Sequence, residues 1–229
     1  MTWLFDCWRS SIGGKVTMAI TGLLLFGFVI AHLLGNLLLL AGPEALNGYA
    51  KFLQDNAGML WTARIGLLVV FVLHVVTGFR LARANRVARP VAYAKEDTVK
   101  ATFASRSMVF SGLTLLGFVV YHLLHFTFGA VHAGDFAKKG ASAGGHDVHA
   151  MVTASFSVPA IAIVYAAFQI VLFLHLRHGV QSLAQTLGLN HGRWTPIVEK
   201  LSLLVAILVA GGNVLLSLSV LTGLVEVRP

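Results

Sequence analysis

The chain has 229 residues, of which 57% are hydrophobic and only 11% carry a charged side chain. Soluble domains are about 45–50% apolar and about 25% charged, so this composition excludes a soluble globule and predicts an integral membrane protein. The net charge of +8 does not indicate nucleic-acid binding, because the sequence contains no basic folded module interleaved with aromatic residues. Cys7 is the only cysteine, which excludes an intrachain disulfide and a cluster of thiolate ligands within the chain.

Five apolar stretches are each long enough to cross a membrane, whose hydrocarbon layer is about 30 Å thick. No water is present at that depth, so the backbone must form its hydrogen bonds within each segment, and the segments are predicted to be helices. The first stretch is interpreted as a retained helix because it is long and lacks the small-residue cleavage site of a signal peptide. We expect one all-α bundle, forming a single domain over residues 1–229, with helices near residues 14–40, 58–82, 104–130, 152–178 and 196–224.

The distribution of basic residues predicts the orientation of the bundle. Only five of the 17 lysine and arginine residues are expected on the outer side, namely Lys51, Arg64, Lys138, Lys139 and Arg228. The remaining twelve flank the opposite side, which the positive-inside rule places in the cytoplasm together with the N-terminus. The sequence therefore predicts a multi-pass protein of a bacterial-type inner (cytoplasmic) membrane, with its C-terminus outside and a basic face that attracts anionic lipid.

The first four predicted helices contain an internal repeat. Residues 111–124, SGLTLLGFVVYHLL, match residues 21–34, TGLLLFGFVIAHLL, at nine of 14 positions, which aligns His122 with His32. A weaker similarity aligns VLFLHLRHGV around His175 with VFVLHVVTGF around His74. Helices one and two are therefore interpreted as one copy of a duplicated helical pair, and helices three and four as the other.

Each of these four helices contains one repeat-matched histidine. A single histidine inside a membrane is commonly explained by a hydrogen bond to a neighbouring helix, but four in consecutive helices are not. From the direction of each helix, we expect His32 and His122 near the outer side, and His74 and His175 near the cytoplasmic side. Two facing imidazoles can hold the iron of one haem. The sequence therefore predicts two bis-histidine b haems at two depths, forming an electron path across the membrane.

Two further histidines are alternative ligands, since His125 and His178 each lie three residues after a repeat-matched histidine. The repeat favours His122 and His175, because these two keep the common register. His125 and His178 are then expected to contact a haem propionate or a quinone, or to lie in a helix interface.

The loop at residues 131–150 contains three more histidines. Their spacing matches no familiar set of metal ligands, so a metal site in this loop is not favoured. We expect solvated loop residues at His132, His146 and His149.

With these features the chain resembles the dihaem cytochrome b anchor subunit of succinate dehydrogenase and fumarate reductase, in its single-chain, five-helix form. The resemblance covers nearly the whole chain, including the N-terminal SSIGGKVTMAITG and the HLRHGVQSL segment after helix four. In that family the first and third helical histidines hold the distal haem, and the second and fourth hold the haem nearer the iron–sulfur subunit. The resemblance thus implies that His32 and His122 bind the distal haem, and that His74 and His175 bind the proximal haem.

The resemblance also implies a function in a succinate:quinone oxidoreductase. The chain would carry electrons through two b haems between an iron–sulfur subunit and a membrane quinone, for which the dihaem five-helix pattern favours menaquinone. The iron–sulfur subunit and the flavoprotein subunit that holds the dicarboxylate site are expected on the cytoplasmic side. The chain would therefore be an enzyme subunit that contains no catalytic residue for the dicarboxylate reaction.

Weaker candidates surround the predicted haems. Arg64, at the outer start of helix two, is a candidate partner for a propionate or a quinone, and interfacial snorkelling is the alternative interpretation. Asp55 is preferred to Glu44 as the acid that exchanges protons with a quinone, with ordinary loop solvation as the alternative. Candidates on the cytoplasmic side are Ser11, Lys15 and Arg106.

Two other functions remain compatible with the sequence. One is the haem-b anchor of another quinone-reactive complex, of the nitrate reductase, formate dehydrogenase or hydrogenase type. The other is a transporter or a structural anchor with hydrogen-bonded histidines and no cofactor, which would be colourless.

Overall fold

The computed structural model describes residue 8 and residues 10–88, 102–137, 147–189 and 191–226. Over these ranges the regular elements are helices and no strand occurs, as expected for an all-α fold. Among the described residues, five helices are long and apolar enough to cross a membrane, with mean hydropathies of 1.7 to 2.4, so the chain is a multi-pass membrane protein. We label them α1 (Ser11–Asn36), α2 (Ala57–Val87), α3 (Met108–Phe126), α4 (Pro159–Thr186) and α5 (Thr195–Leu221).

Shorter helical elements connect the spanning helices. A 3-10 turn continues the first span to Ala41, and proline at the start of the next helix sets its first turn. The short elements are Leu37–Ala41, Pro43–Asp55, Phe103–Arg106, Ala133–Phe136 and Val148–Phe156.

The start of α4 differs from the prediction, which placed the fourth helix at residues 152–178. The apolar segment is divided into Val148–Phe156 and α4 by a turn at residues 157–158. Val158 has an extended backbone because the ring of Pro159 disfavours a helical conformation in the preceding residue. Hydropathy does not mark this break, since both sides of it are apolar. The third span is also shorter than the predicted 104–130, because Phe103–Arg106 forms a separate turn before α3.

The spanning helices pack unevenly. The most extensive interface joins α4 to α5, where Ala162, Ser202 and Ala206 are fully buried and allow the two helices to approach closely. α1 packs against α2, α4 and α5, and α3 packs mainly against α4. By contrast, α1 and α3 approach each other at hardly any point, and the same holds for α2 and α4. α1 to α4 thus form a four-helix arrangement in which these two pairs are the diagonals.

The predicted orientation depends partly on residues that the structure does not describe. Cys7 and His146 also lie outside the described ranges, as do seven of the 17 basic residues: Arg9, Arg89, Lys95, Lys100, Lys138, Lys139 and Arg228. The orientation and the type of membrane stay predictions.

Candidate functional site

The structure places the four repeat-matched histidines in two pairs. The ring centroids of His32 and His122 lie 5.8 Å apart, with an angle of 89° between the ring planes. The ring centroids of His74 and His175 lie 6.4 Å apart, with an angle of 65°. We call these the outer pair and the inner pair, after their predicted depths. The pairing expected from the repeat is therefore present in the fold.

Both pairs lie on diagonals of the four-helix arrangement. The outer pair joins α1 to α3 and the inner pair joins α2 to α4, although the backbones of these helices hardly approach each other. Two imidazoles on opposite sides of one metal ion, with metal–nitrogen bonds of about 2 Å, have ring centroids about 6 Å apart. The separation in both pairs therefore fits two axial ligands of one haem iron.

The inner pair is held by two hydroxyl groups at matching positions of the repeat. Oγ1 of Thr21 lies 3.1 Å from Nδ1 of His74, and Oγ of Ser111 lies 3.1 Å from Nδ1 of His175. Each hydroxyl also donates to a carbonyl of its own helix, 2.7 Å from Thr21 to Thr17 and 3.1 Å from Ser111 to Met108.

These bonds favour one tautomer of the inner rings. A hydroxyl has one proton, which the carbonyl must receive because a carbonyl can only accept. The hydroxyl therefore accepts from the ring, so Nδ1 of His74 and of His175 carries the proton and Nε2 presents a lone pair. Nε2 of neither ring has a hydrogen-bond partner among the described residues. A neutral imidazole with this tautomer, held by a second hydrogen bond, is the form that binds a metal ion.

Glycines beside the hydroxyls leave room for the inner rings. A Cβ atom on Gly22 would lie 3.4 Å from Cε1 of His74, and one on Gly112 would lie 3.6 Å from Cε1 of His175. A Cβ at either position would already be in van der Waals contact with the ring, which leaves little room for a longer side chain. The hydroxyl residue of each TG or SG dipeptide therefore bonds a ring of the inner pair, and the glycine leaves room for that ring. This role of Thr21 and Ser111 was not predicted from the sequence. The sequence feature that could have indicated this role is the recurrence of both dipeptides at the same distance before His32 and His122.

The outer pair contacts aromatic rings instead of hydroxyl groups. Phe28 stacks on His32 with centroids 5.4 Å apart, and its repeat counterpart Phe118 lies 5.9 Å from His122. Tyr165 of α4 is 6.0 Å from His122. Nδ1 of His122 is buried and has no hydrogen-bond partner within the described part of the chain. Such an atom is uncommon in a protein interior and is compatible with a ring positioned for a ligand.

His125 is not available as a ligand, because both of its ring nitrogens are already bonded. Nδ1 lies 3.0 Å from the hydroxyl of Tyr165, and Nε2 lies 3.0 Å from Oγ of Ser155. Ser155 donates in turn to a carboxylate oxygen of Asp135 at 3.1 Å. The side chain of His125 is 1% exposed and belongs to a helix interface, so this geometry favours His122 as the ligand.

The prediction for His149 is wrong. It was expected to be a solvated loop residue, but its side chain is 2% exposed and it lies in the helix Val148–Phe156. Its backbone N–H donates to Oδ1 of Asn47 at 3.0 Å, which attaches this helix to the helix Pro43–Asp55. His132 is exposed as expected. No group of three or more His, Cys, Asp and Glu side chains that could hold a metal ion occurs over the described residues.

The weaker candidates have other neighbours. The guanidinium of Arg64 lies 5.3 Å from the ring centroid of Trp61, and the carboxylate of Asp55 pairs with Lys51 at 2.9 Å. All four side chains are exposed, and in the described ranges the structure shows no contact of Arg64 or Asp55 with a histidine pair. The candidates on the predicted cytoplasmic side are also exposed: Ser11, Lys15 and Arg106.

Comparisons of the chain with family models, curated proteins and solved structures found no match. The functional interpretation therefore depends on the two histidine pairs and on the resemblance of the sequence motifs.

Proposed function

We propose that the chain is the membrane anchor and cytochrome b subunit of a succinate:quinone oxidoreductase, with two b haems. His32 and His122 would be the axial ligands of the outer haem, and His74 and His175 those of the inner haem. When bound, each haem supplies a one-electron carrier, and two of them at different depths connect the two sides of the membrane.

The inner pair is the observation that best supports this proposal. Nε2 of both rings, on diagonal helices, has no partner among the described residues, and each ring is oriented by a hydroxyl at a matching position of the repeat. A merely structural histidine would be expected to bond on both sides, as His125 does. The contrast between His125 and the inner rings therefore favours ligation over simple packing.

The residues around each pair have distinct tasks in this proposal. Thr21 and Ser111 orient the inner rings by hydrogen bonds, while Phe28 stacks on His32 and Phe118 contacts His122 in the outer pair.

The partners follow from the family resemblance. The iron–sulfur subunit and the flavoprotein subunit would bind the cytoplasmic face, and a quinone, with menaquinone favoured, would exchange electrons with the chain. In this arrangement the N-terminus is cytoplasmic and the membrane is the bacterial-type inner membrane. Arg64 and Asp55 stay predictions for contacts with a propionate or a quinone and for proton exchange.

The direct test is the haem content of the purified full-length chain, measured as pyridine haemochrome per polypeptide. We expect two b haems per chain. A colourless chain would contradict the proposal and support a transporter or a structural anchor.

A second measurement tests the type of complex. The tagged chain, purified from membranes under mild conditions, should retain a flavoprotein and an iron–sulfur protein that together reduce a quinone with succinate. If the purified complex contains two haems but reduces nitrate or oxidises formate or hydrogen, the chain belongs to another quinone-reactive complex.

A further inference from the structure

Four buried polar atoms near the predicted cytoplasmic end of α2 lack hydrogen-bond partners among the described residues. They are Nε and Nη2 of Arg80, Oγ1 of Thr77 and the indole nitrogen Nε1 of Trp8. Thr77 is 0% exposed. A guanidinium keeps its charge at any physiological pH, so buried N–H groups on it need an acceptor.

This cluster lies one to two helical turns from the inner pair, towards the predicted cytoplasmic end of α2. His74, Thr77 and Arg80 follow each other at intervals of three residues along α2, and six residues of helix correspond to about 9 Å. On α1, Gly14 faces the guanidinium of Arg80, and Thr21, seven residues later, bonds His74. Seven residues of helix correspond to about 10 Å, so both helices place the guanidinium at a similar distance from the inner pair, towards the cytoplasmic side.

The position of Arg80 is fixed by its neighbours. Its guanidinium lies 4.3 Å from the ring centroid of Trp8, which is a cation–π contact. A side chain on Gly14 would overlap the guanidinium, so the glycine is needed for this close approach. Arg83 and Arg86 of the same helix are exposed, as expected for arginines at the membrane–water interface. The side chain of Arg80 therefore points into the protein, whereas those of Arg83 and Arg86 do not.

In the second copy of the repeat, the residue aligned with Arg80 has a hydrogen-bond partner. When the two copies are aligned on His74 and His175, Gln181 aligns with Arg80. Gln181 donates to Oγ of Ser202 on α5 at 3.0 Å. No spanning helix plays the part of α5 for the first copy, so Arg80 has no corresponding acceptor among the described residues.

We propose that Arg80, together with Thr77 and Trp8, binds a carboxylate of the haem held between His74 and His175. This inference rests on the proposed function. The guanidinium and the indole nitrogen can only donate, and the threonine hydroxyl can donate as well, so the site matches an oxyanion. A haem b carries two carboxylates on one edge, whereas a lipid phosphate would lie at the membrane surface and not between α1 and α2.

The test compares Arg80→Gln with Arg83→Gln as the matched control, in the full-length chain purified with its haems. Haem content per chain and the midpoint potentials of both haems are measured, the latter by optical redox titration. We expect Arg80→Gln to keep two haems and to lower the potential of the inner haem, because a nearby cation favours the added electron. The inner haem is the one whose signal is absent in His74→Ala. Arg83→Gln should change neither potential.

Other outcomes would overturn the assignment. Unchanged potentials in Arg80→Gln, or a shift of the outer haem alone, contradict it. Loss of a copurified phospholipid in Arg80→Gln at unchanged potentials, detected by lipid mass spectrometry, would assign the site to a lipid phosphate. If Arg80→Gln does not accumulate, Arg80→Lys replaces it, with a smaller shift of the inner haem expected and no shift contradicting the inference. A wild-type chain without haem would overturn the proposed function as well, and the same haem assay detects that case.

Discussion

The inner and outer histidine pairs have similar ring separations but are held by different interactions. Hydroxyls of Thr21 and Ser111 fix the inner rings through hydrogen bonds, whereas the outer rings contact aromatic side chains, with Phe28 stacked on His32 and Phe118 tilted against His122. All four of these residues lie in the segments 21–34 and 111–124. Each copy of the repeated segment therefore contains a hydroxyl for the inner pair, and a phenylalanine and a histidine for the outer pair. This explains why these segments are the most similar part of the two halves.

Under the proposed function, the largest expected effect is the loss of one haem when one of its two ligands is removed. His74→Ala and His175→Ala should each abolish the inner haem, and His32→Ala and His122→Ala the outer haem. The number of haems per polypeptide, measured as haemochrome, should fall from two to one in each variant. Two imidazoles are needed to hold a haem between the diagonal helices, and each variant leaves only one. The control is His125→Ala, which should retain two haems. Two haems in His122→Ala together with one in His125→Ala would show that the ligand register is wrong.

A substitution next to the inner ring should act on the inner pair only. Gly22→Leu adds a side chain where even a Cβ lies 3.4 Å from His74, and overpacking of this kind costs about 1–3 kcal/mol. We expect partial or complete loss of the inner haem with the outer haem retained, measured by the haem content and by difference spectra. Gly211→Leu on α5, where no atom lies within 4 Å of an added Cβ, should leave both haems in place. Equal losses of both haems in Gly22→Leu would contradict the assignment.

Removal of one hydroxyl should weaken the inner haem without changing the fold. Thr21→Val removes the acceptor for Nδ1 of His74, and loss of such an orienting bond typically reduces metal affinity about 10–100-fold. Haem retention during dilution or extraction with apomyoglobin measures this change. Thr17→Val is the matched control, since that hydroxyl bonds only the carbonyl of Gly13. If both variants lose haem equally, the hydroxyl of Thr21 has no specific role.

A smaller change is expected for the aromatic contacts of the outer pair. Phe28→Leu keeps an apolar side chain but removes the stacking on His32, which is worth about 0.5–1.5 kcal/mol. The outer haem should dissociate up to about tenfold more readily, because 1.4 kcal/mol corresponds to a factor of ten. Phe110→Leu, at a side chain that is 72% exposed on α3, serves as the control. Faster loss of the inner haem in Phe28→Leu would contradict the division between the two pairs.

The smallest effect is expected at Asp55. Its ion pair with Lys51 is exposed, so Asp55→Asn should lower the free energy of unfolding by only about 0.3–0.5 kcal/mol. Haem content and both midpoint potentials should match the wild type, since neither side chain contacts a histidine pair. Thermal unfolding and optical titration measure the two quantities. A shift in the outer potential alone would instead link Asp55 to the outer haem.

The helices and the pairing of histidines were predictable because both follow from patterns along the chain. Apolar length predicts the spans, and the repeat predicts which rings share a depth. The start of α4 was not predictable from hydropathy, because the break before Pro159 interrupts a continuous apolar segment. The identities of the residues that hold the rings were also missed, since Thr21 contacts His74 across an antiparallel helix, 53 residues away in sequence.

The burial of His149 shows a further limit. Its surroundings in sequence are rich in glycine and alanine, which is typical of a loop. The side chain is buried because the helix Val148–Phe156 packs against Pro43–Asp55, and Asn47 bonds both Asp147 and the backbone of His149. This long-range contact has no periodic signal in the sequence. Arg80 was overlooked for the same reason, since its inward position depends on Gly14 of α1 and on Trp8, which precedes that helix.

The diagonal placement of the pairs has a consequence for assembly in the cell. A ligand bound to both rings of a pair joins two helices that otherwise have little contact, so it adds directly to the stability of the native state. α2 gains most, because Thr77 is its only buried residue. Under the proposed function, the yield of intact protein would therefore follow the supply of haem, and chains made during haem shortage would be the ones that membrane proteases degrade first.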